Sequence, residues 1–283
     1  MKRFLFGSLA LLLCAHGWAA DADAVRKRVE SSMLLTGSIV IAPEGTVRSF
    51  QIDHTDKVPA PVLELLQKNV PQWTFEPVQQ DGQPVNARAT MDVRVVANQL
   101  ADGNYALSIR GVHFGDDAPG ENVSSKTRVS PRYPVEAVSA RVPGTVYLLL
   151  QVGRQGQVEG AIAEQVNLEA VGSDQEMARF RKVLADASLS AARRWTFNPP
   201  STGRRVQADH WFVRVPVQFN LSGPGLHSRA GYGQWQTYVP GPRQVAPWAQ
   251  ESKLAEGSVD ALPADGIAPA QSSLHLLTPL AAS

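Results

Sequence analysis

The chain has 283 residues, with 27 lysines and arginines against 26 aspartates and glutamates, a net charge of +1, and 43% hydrophobic residues. That balance excludes the basic footprint of a nucleic-acid-binding protein, and the length predicts roughly two domains with packed cores. The single cysteine, Cys14, excludes an internal disulfide framework and a thiolate metal site.

In chain order, Lys2 and Arg3 precede an apolar run over residues 4–15, and Gly17-Trp18-Ala19-Ala20 follows. This is the pattern of a cleavable export signal, placed at residues 1–19 with cleavage after Ala19. The run is shorter than the ~20 apolar residues of a comfortable permanent span. Cleavage removes Cys14 and delivers a near-neutral mature chain to the periplasm. The alternatives are an inner-membrane protein anchored by an uncleaved amino terminus, and lipidation at Cys14, which the bulky Leu13 disfavours.

Residues 20–116 form a first predicted module. A hairpin is expected from strand 38–42, the turn Pro43-Glu44-Gly45 and strand 47–52. Behind Pro59 and Pro61, the residues Val62, Leu65, Leu66, Asn69 and Trp73 fall at helical spacing. The stripe ends in Gln72-Trp73-Thr74-Phe75-Glu76-Pro77. The turn Gln80-Asp81-Gly82-Gln83 then leads to a closing strand over 89–96, and a further strand is expected over 105–114. Residues 117–128 are a linker, and Asp116-Asp117 beside it are expected to be solvated carboxylates, not a site.

A second module is expected over 129–222. Val146, Leu148, Leu150 and Val152 alternate with Tyr147, Leu149 and Gln151, Gly153-Arg154-Gln155-Gly156 turns, and residues 158–163 return. Phe180, Val183, Leu184, Ala187, Ala191 and Trp195 trace a helical stripe that ends in Arg194-Trp195-Thr196-Phe197-Asn198-Pro199. A closing strand follows over 211–220. Two copies of Trp-Thr-Phe-x-Pro in matching surroundings mark an internal repeat, and a tryptophan closing an apolar stripe is expected in a core.

The predicted fold class is therefore α+β: two tandem β-β-α-β modules, each an antiparallel sheet packed on an amphipathic helix. The tail over 223–283, rich in proline and glycine, is expected to be largely irregular, with Tyr232, Trp235, Tyr238 and Trp248 available to dock on a domain.

Pro131-Arg132-Tyr133-Pro134-Val135-Glu136-Ala137, the hairpin, the helix, Arg194-Trp195-Thr196-Phe197-Asn198-Pro199 and Val215-Pro216-Val217-Gln218-Phe219 follow in an order that closely resembles the carboxy-terminal domain of TonB energy transducers. The first module is similar but more distant and lacks the Tyr-Pro entry. The resemblance implies a periplasmic module whose partner is a protein or peptide, such as the plug of an outer-membrane receptor, captured by adding its strand to a sheet edge. The nominated edge is the closing strand, with Val213, Arg214, Val215, Val217, Gln218 and Phe219 as partner-binding residues. Pro216 suits an edge because it cannot donate within a central ladder. Tyr133 and Pro134 either contact a partner or pin the chain entry onto the sheet. The uncleaved anchor and long proline-rich linker of transducing members are not visible, so a structural or self-associating envelope protein, dimerising through sheet edges, is the alternative.

No catalysis and no cofactor are expected. His54, His113, His210, His227 and His275 are far apart in unlike contexts, without metal-ligand spacing, and nucleophile-elbow and phosphate-loop motifs are lacking.

Overall fold

The computed structural model describes residues 28–100, 102–115, 120–203, 205–221, 230–249, 258–263, 266–272 and 274–280. The export signal with Cys14, the pair Asp116-Asp117 and His227 lie outside the described residues. The architecture is mixed α+β, built on two main antiparallel sheets.

The first half runs β1 (Glu30–Ile41), β2 (Val47–Ile52), helix α1 (Ala60–Asn69), the two-residue strands β3 (Gln79–Gln80) and β4 (Gln83–Pro84), β5 (Ala87–Gln99) and β6 (Tyr105–Gly115). After β7 (Ser124–Thr127), the second half runs α2 (Val135–Ser139), β8 (Gly144–Gly153), β9 (Val158–Leu168), α3 (Asp174–Ala192), β10 (Thr196–Asn198) and β11 (His210–Phe219). Among its described residues the tail adds β12 (Gln236–Tyr238), one 3-10 turn and β13 (Ala268–Pro269).

In the first sheet β1 pairs along its length with β5, and β6 extends the sheet beyond β5. The other edge of β1 is shared, with β12 opposite residues 30–32 and β2 opposite residues 37–41. The second sheet has the order β13-β11-β8-β9. Alternation along β1 sends Met33, Leu35, Ile39 and Ile41 into one core with Val62 and Leu66 of α1. The other core gathers Val146, Leu148 and Leu150 of β8, Val213, Val215 and Val217 of β11, and Met177 and Leu184 of α3.

The helices differ from the predicted stripes at both ends. Pro71 stops α1 at Asn69 and a 3-10 turn, Val70–Gln72, carries the chain on, so Trp73 lies beyond the helix. Helix α3 begins earlier than the stripe, at a capping box in which Ser173 accepts from the Glu176 amide and the Glu176 side chain reaches back to the Ser173 amide. Both tryptophans are core residues, Trp73 at 3% and Trp195 at 2% exposure, and the Trp195 indole N–H donates to the Val129 carbonyl at 2.8 Å.

The repeated motif performs the same contact twice. The Phe75 amide donates to the Gly45 carbonyl at 2.8 Å, and the Phe197 amide donates to the Gly156 carbonyl at 2.7 Å. Each glycine sits at the hairpin turn with positive φ, +88° for Gly45 and +79° for Gly156. A Cβ there would meet the phenylalanine carbonyl oxygen at 2.2 Å and 2.0 Å respectively, so backbone approach and handedness both demand glycine. In contrast Gly82 has φ +77° but open space around it.

Gly156→Ala is expected to destabilise by about 1–3 kcal/mol beyond Gly82→Ala, because only Gly156 adds a steric clash to the left-handed backbone. Urea unfolding checks this, and equal losses would show that the close approach is unimportant. A second expectation concerns Asp92 on β5, opposite Thr36 and His113. Burial, then the Asp53 charge, push its carboxyl up from the ordinary 3.8 to about 7. A carboxyl raised in the fold binds its proton more tightly there, so its contribution is full below the unfolded value and is lost as pH rises towards about 7. Asp92→Asn should therefore raise the melting temperature at about pH 8 and change it little at about pH 4.

Candidate functional site

Strand β11 carries the nominated edge, and its side chains divide cleanly between two faces. Val213, Val215, Val217 and Phe219 are buried in the core beneath α3, so their side chains are closed to a partner. Arg214 points to the opposite face and is itself buried. Gln218 is on that face as well, half-buried, beside Pro216.

The edge is defined by one hydrogen bond. The Ala270 amide donates to the Phe212 carbonyl at 2.9 Å, so Phe212 turns its backbone away from β8. In an antiparallel strand alternate residues face alternate sides, and Arg214, Pro216 and Gln218 therefore turn the same way. Pro216 thus spends no hydrogen bond of the β8–β11 ladder, and its missing donor falls on the outer edge. Strand β13 covers part of that edge, pairing Val213 with Pro269 and Arg214 with Ala268. Beyond Arg214 no described strand pairs with β11 on this side, which leaves the Pro216 carbonyl and both backbone groups of Gln218 facing outward.

The Arg214 guanidinium makes a two-pronged pair with Glu164 of β9, Nε to Oε2 at 2.8 Å and Nη2 to Oε1 at 3.1 Å. Their side chains are only 3% and 4% exposed. Arg243 of the tail donates to the same carboxylate at 2.8 Å, and Arg214 Nη1 donates to the Ala270 carbonyl at 3.3 Å. The expected partner-binding arginine is thus occupied within the fold, where it ties β11 to β9 and to the tail. Beside it, Phe212 stacks on Trp248 with ring centroids 5.4 Å apart, and Leu149, Ala246 and Ala270 complete a small apolar layer.

Tyr133 and Pro134 enter the second sheet from the other end. Pro134 is the N-cap residue of α2. The Tyr133 hydroxyl donates to the Val142 carbonyl at 2.9 Å and its ring meets Phe219 edge-on at 5.2 Å. Burial, with the Glu169 charge adding to it, pushes the hydroxyl up to about 12. Both groups of Tyr133, ring and hydroxyl, have partners inside the fold.

A second polar cluster joins the two sheets. Asp260 of the tail accepts from the Tyr238 hydroxyl at 3.0 Å and the Ser258 hydroxyl at 2.8 Å, and from Asn167 of β9 at 3.4 Å. Arg94 of β5 donates to the Asp260 backbone carbonyl at 2.7 Å and to the Ser32 hydroxyl at 2.6 Å. Nothing in the sequence pattern pairs Glu164 with Arg214 or Asp260 with Arg94, because tertiary proximity alone brings them together. The available signal was Arg214 alone, a charge in the otherwise apolar run from Trp211 to Val217.

Among the described residues no group of three or more metal-ligating side chains converges, and no helix is long and apolar enough to cross a membrane. No family model matches the chain. The chain is similar to proteins described as Protein TonB from two strains of Xanthomonas campestris pv. campestris, B100 among them, at 33% identity over 101 residues. The match covers 36% of this chain and 39% of each relative. The chain thus carries a TonB-like region, and it spans well under half the length of those relatives.

The buried pair generates a test. Glu164→Gln leaves Arg214 buried without its charge partner and should cost roughly 3–5 kcal/mol, whereas Glu164→Met combined with Arg214→Met should recover most of the loss. Thermal unfolding of the two variants separates the outcomes.

Proposed function

We propose that this protein is an exported, TonB-like binding protein of the bacterial envelope, built from two repeated β-β-α-β modules, and that it works without catalysing a reaction. Its partner is an extended segment of another envelope protein, such as the plug of an outer-membrane receptor, added as a strand to β11. The observation that carries this is the outer edge of β11 beyond Arg214, where Pro216 and Gln218 turn backbone groups outward with no described strand opposite them. Edge addition uses such groups for affinity and neighbouring pockets for selectivity. The similarity to Protein TonB supports the same class of partner. A periplasmic location, reached by cleavage after Ala19, accompanies the proposal, with a retained amino-terminal anchor as its alternative.

A second reading has its own observation. Strand β6 forms the far edge of the first sheet, and no described strand pairs beyond it. A copy of the chain aligned there would give a homodimer through sheet edges, the mark of a structural envelope protein that no longer transduces energy. Light scattering on the mature chain distinguishes a stable dimer from a monomer.

For peptide capture the test is Gln218→Pro. It removes the outward N–H of Gln218 without breaking the β8 ladder, and should weaken binding of receptor-plug peptides about ten-fold. Isothermal titration reads the change, and plug peptides that fail to bind even the unaltered protein would refute edge capture.

A further inference from the structure

Strand β13 is the shortest ladder in either main sheet and lies on the edge at issue. It pairs only Val213 with Pro269 and Arg214 with Ala268, where β8 pairs with β11 over ten residues, from Gly144 to Gly153. Alternation again assigns its backbone groups. The Ala270 amide faces β11, so Ala268 does also, and Pro269 faces away. Pro269 therefore leaves the pairing with β11 intact while removing a donor from the outer side of β13, so the sheet ends there. Ala268 and Ala270 are both buried, and Ala270 sits in the apolar layer with Leu149, Phe212 and Trp248.

Resting on the edge-capture reading, we infer that β13 is a built-in occupant of the binding edge and that a partner must displace it. Its own sequence describes the partner: an extended peptide antiparallel to β11, with a small apolar residue opposite Phe212 where Ala270 now packs. A partner strand that continues past Arg214 gains pairing at Pro216 and Gln218 that β13 does not make. Exchange of the first few hydrogen bonds is nearly neutral, since each is replaced by its equivalent, and the added length supplies the preference. The free protein is held in a low-affinity state, and the tail sets the threshold.

The test uses the full mature chain and a labelled synthetic peptide with the sequence of residues 266–272. Ala270→Pro removes the amide that donates to Phe212 and should tighten peptide binding about ten-fold over the unaltered protein. The double variant Val213→Cys with Pro269→Cys places cysteines at directly opposed positions. Once oxidised it should bind no peptide, and reduction should restore binding. A peptide carrying Trp at the Ala270 position should bind more weakly than the parent to every open form. Equal affinity in the unaltered, Ala270→Pro and oxidised proteins would overturn self-occupancy. Amide hydrogen exchange at Arg214 separates the two ideas. Faster exchange in Ala270→Pro with no peptide bound would leave self-docking standing and sink edge capture. Unchanged exchange with no peptide bound would overturn self-docking, and the oxidised pair supplies the same comparison if Ala270→Pro fails to fold.

Discussion

A helix laid on a small sheet covers one face and leaves the other in water. Both sheets of this protein carry apolar residues on that second face, among them Leu149 and Val96, which are nevertheless buried. The carboxy-terminal tail does the covering. Its residues Ala246, Trp248 and Ala270 pack on the second sheet, and Ser258 lies so close to Gly111 of β6 that a Cβ on that glycine would meet it at 2.1 Å. Asp260 then fixes the arrangement, because it takes hydrogen bonds or charge from Arg94 on one sheet and Asn167 on the other. The tail is mortar between the two sheets.

Edges obey the same economy. Unpaired strand edges invite aggregation, and the tail lies against several main-sheet edges, including β6, where the Ser272 hydroxyl donates to the Phe114 carbonyl at 2.9 Å. Val239 and Leu168 exchange hydrogen bonds at 2.7 and 3.1 Å, and the Gln244 amide donates to the Glu164 carbonyl at 2.7 Å, so the tail runs along β9. The Trp-Thr-Phe strands are also paired from outside their own hairpins. Phe75 bridges Leu276 of the tail, and β10 pairs with β7 from the connection between halves. The two halves differ most beside the closing strand, where β5 is covered by the eleven-residue β6 and β11 by the two-residue β13. This asymmetry singles out β11 as the edge open to exchange.

How much of this was legible depended on whether the signal was local. The hairpins, the Trp-Thr-Phe-x-Pro motifs and the closing strands rest on period-two alternation and turn glycines, and β2, β6 and β11 fall where that pattern puts them, whereas β1 begins at Glu30, well before the expected 38–42, and β9 runs past residue 163 to Leu168. The extra length of α3 was also written locally, in Ser173-Asp174-Gln175-Glu176, a capping box upstream of the apolar stripe. The covered second face had a weaker signal. Val146-Tyr147-Leu148-Leu149-Leu150 is a continuous apolar run, the composition of a strand buried on both faces, and it fits alternation equally well if Tyr147 and Leu149 are assigned to solvent. The docking of a proline- and glycine-rich tail has no periodic signature at all, since it is carried by isolated residues such as Tyr238 and Asp260 meeting partners more than a hundred residues away in the chain.

The buried charges explain how such a tail finds one register. Small residues like Ala246, Ala268 and Ala270 pack against many apolar surfaces with little discrimination, and apolar burial is non-directional. A buried ion pair contributes little net stability compared with apolar packing, but it is costly to misalign because a stranded charge has no solvent to receive it. Arg243 meets Glu164 and Asp260 meets Arg94 in the register that also buries Ala246, Ala268 and Ala270. The chain that leaves β13 continues to Leu274, buried in the first core, and to Thr278, which pairs with Thr74 at the first Trp-Thr-Phe motif. Occupancy of the β11 edge is therefore joined through the tail to the core of the other half.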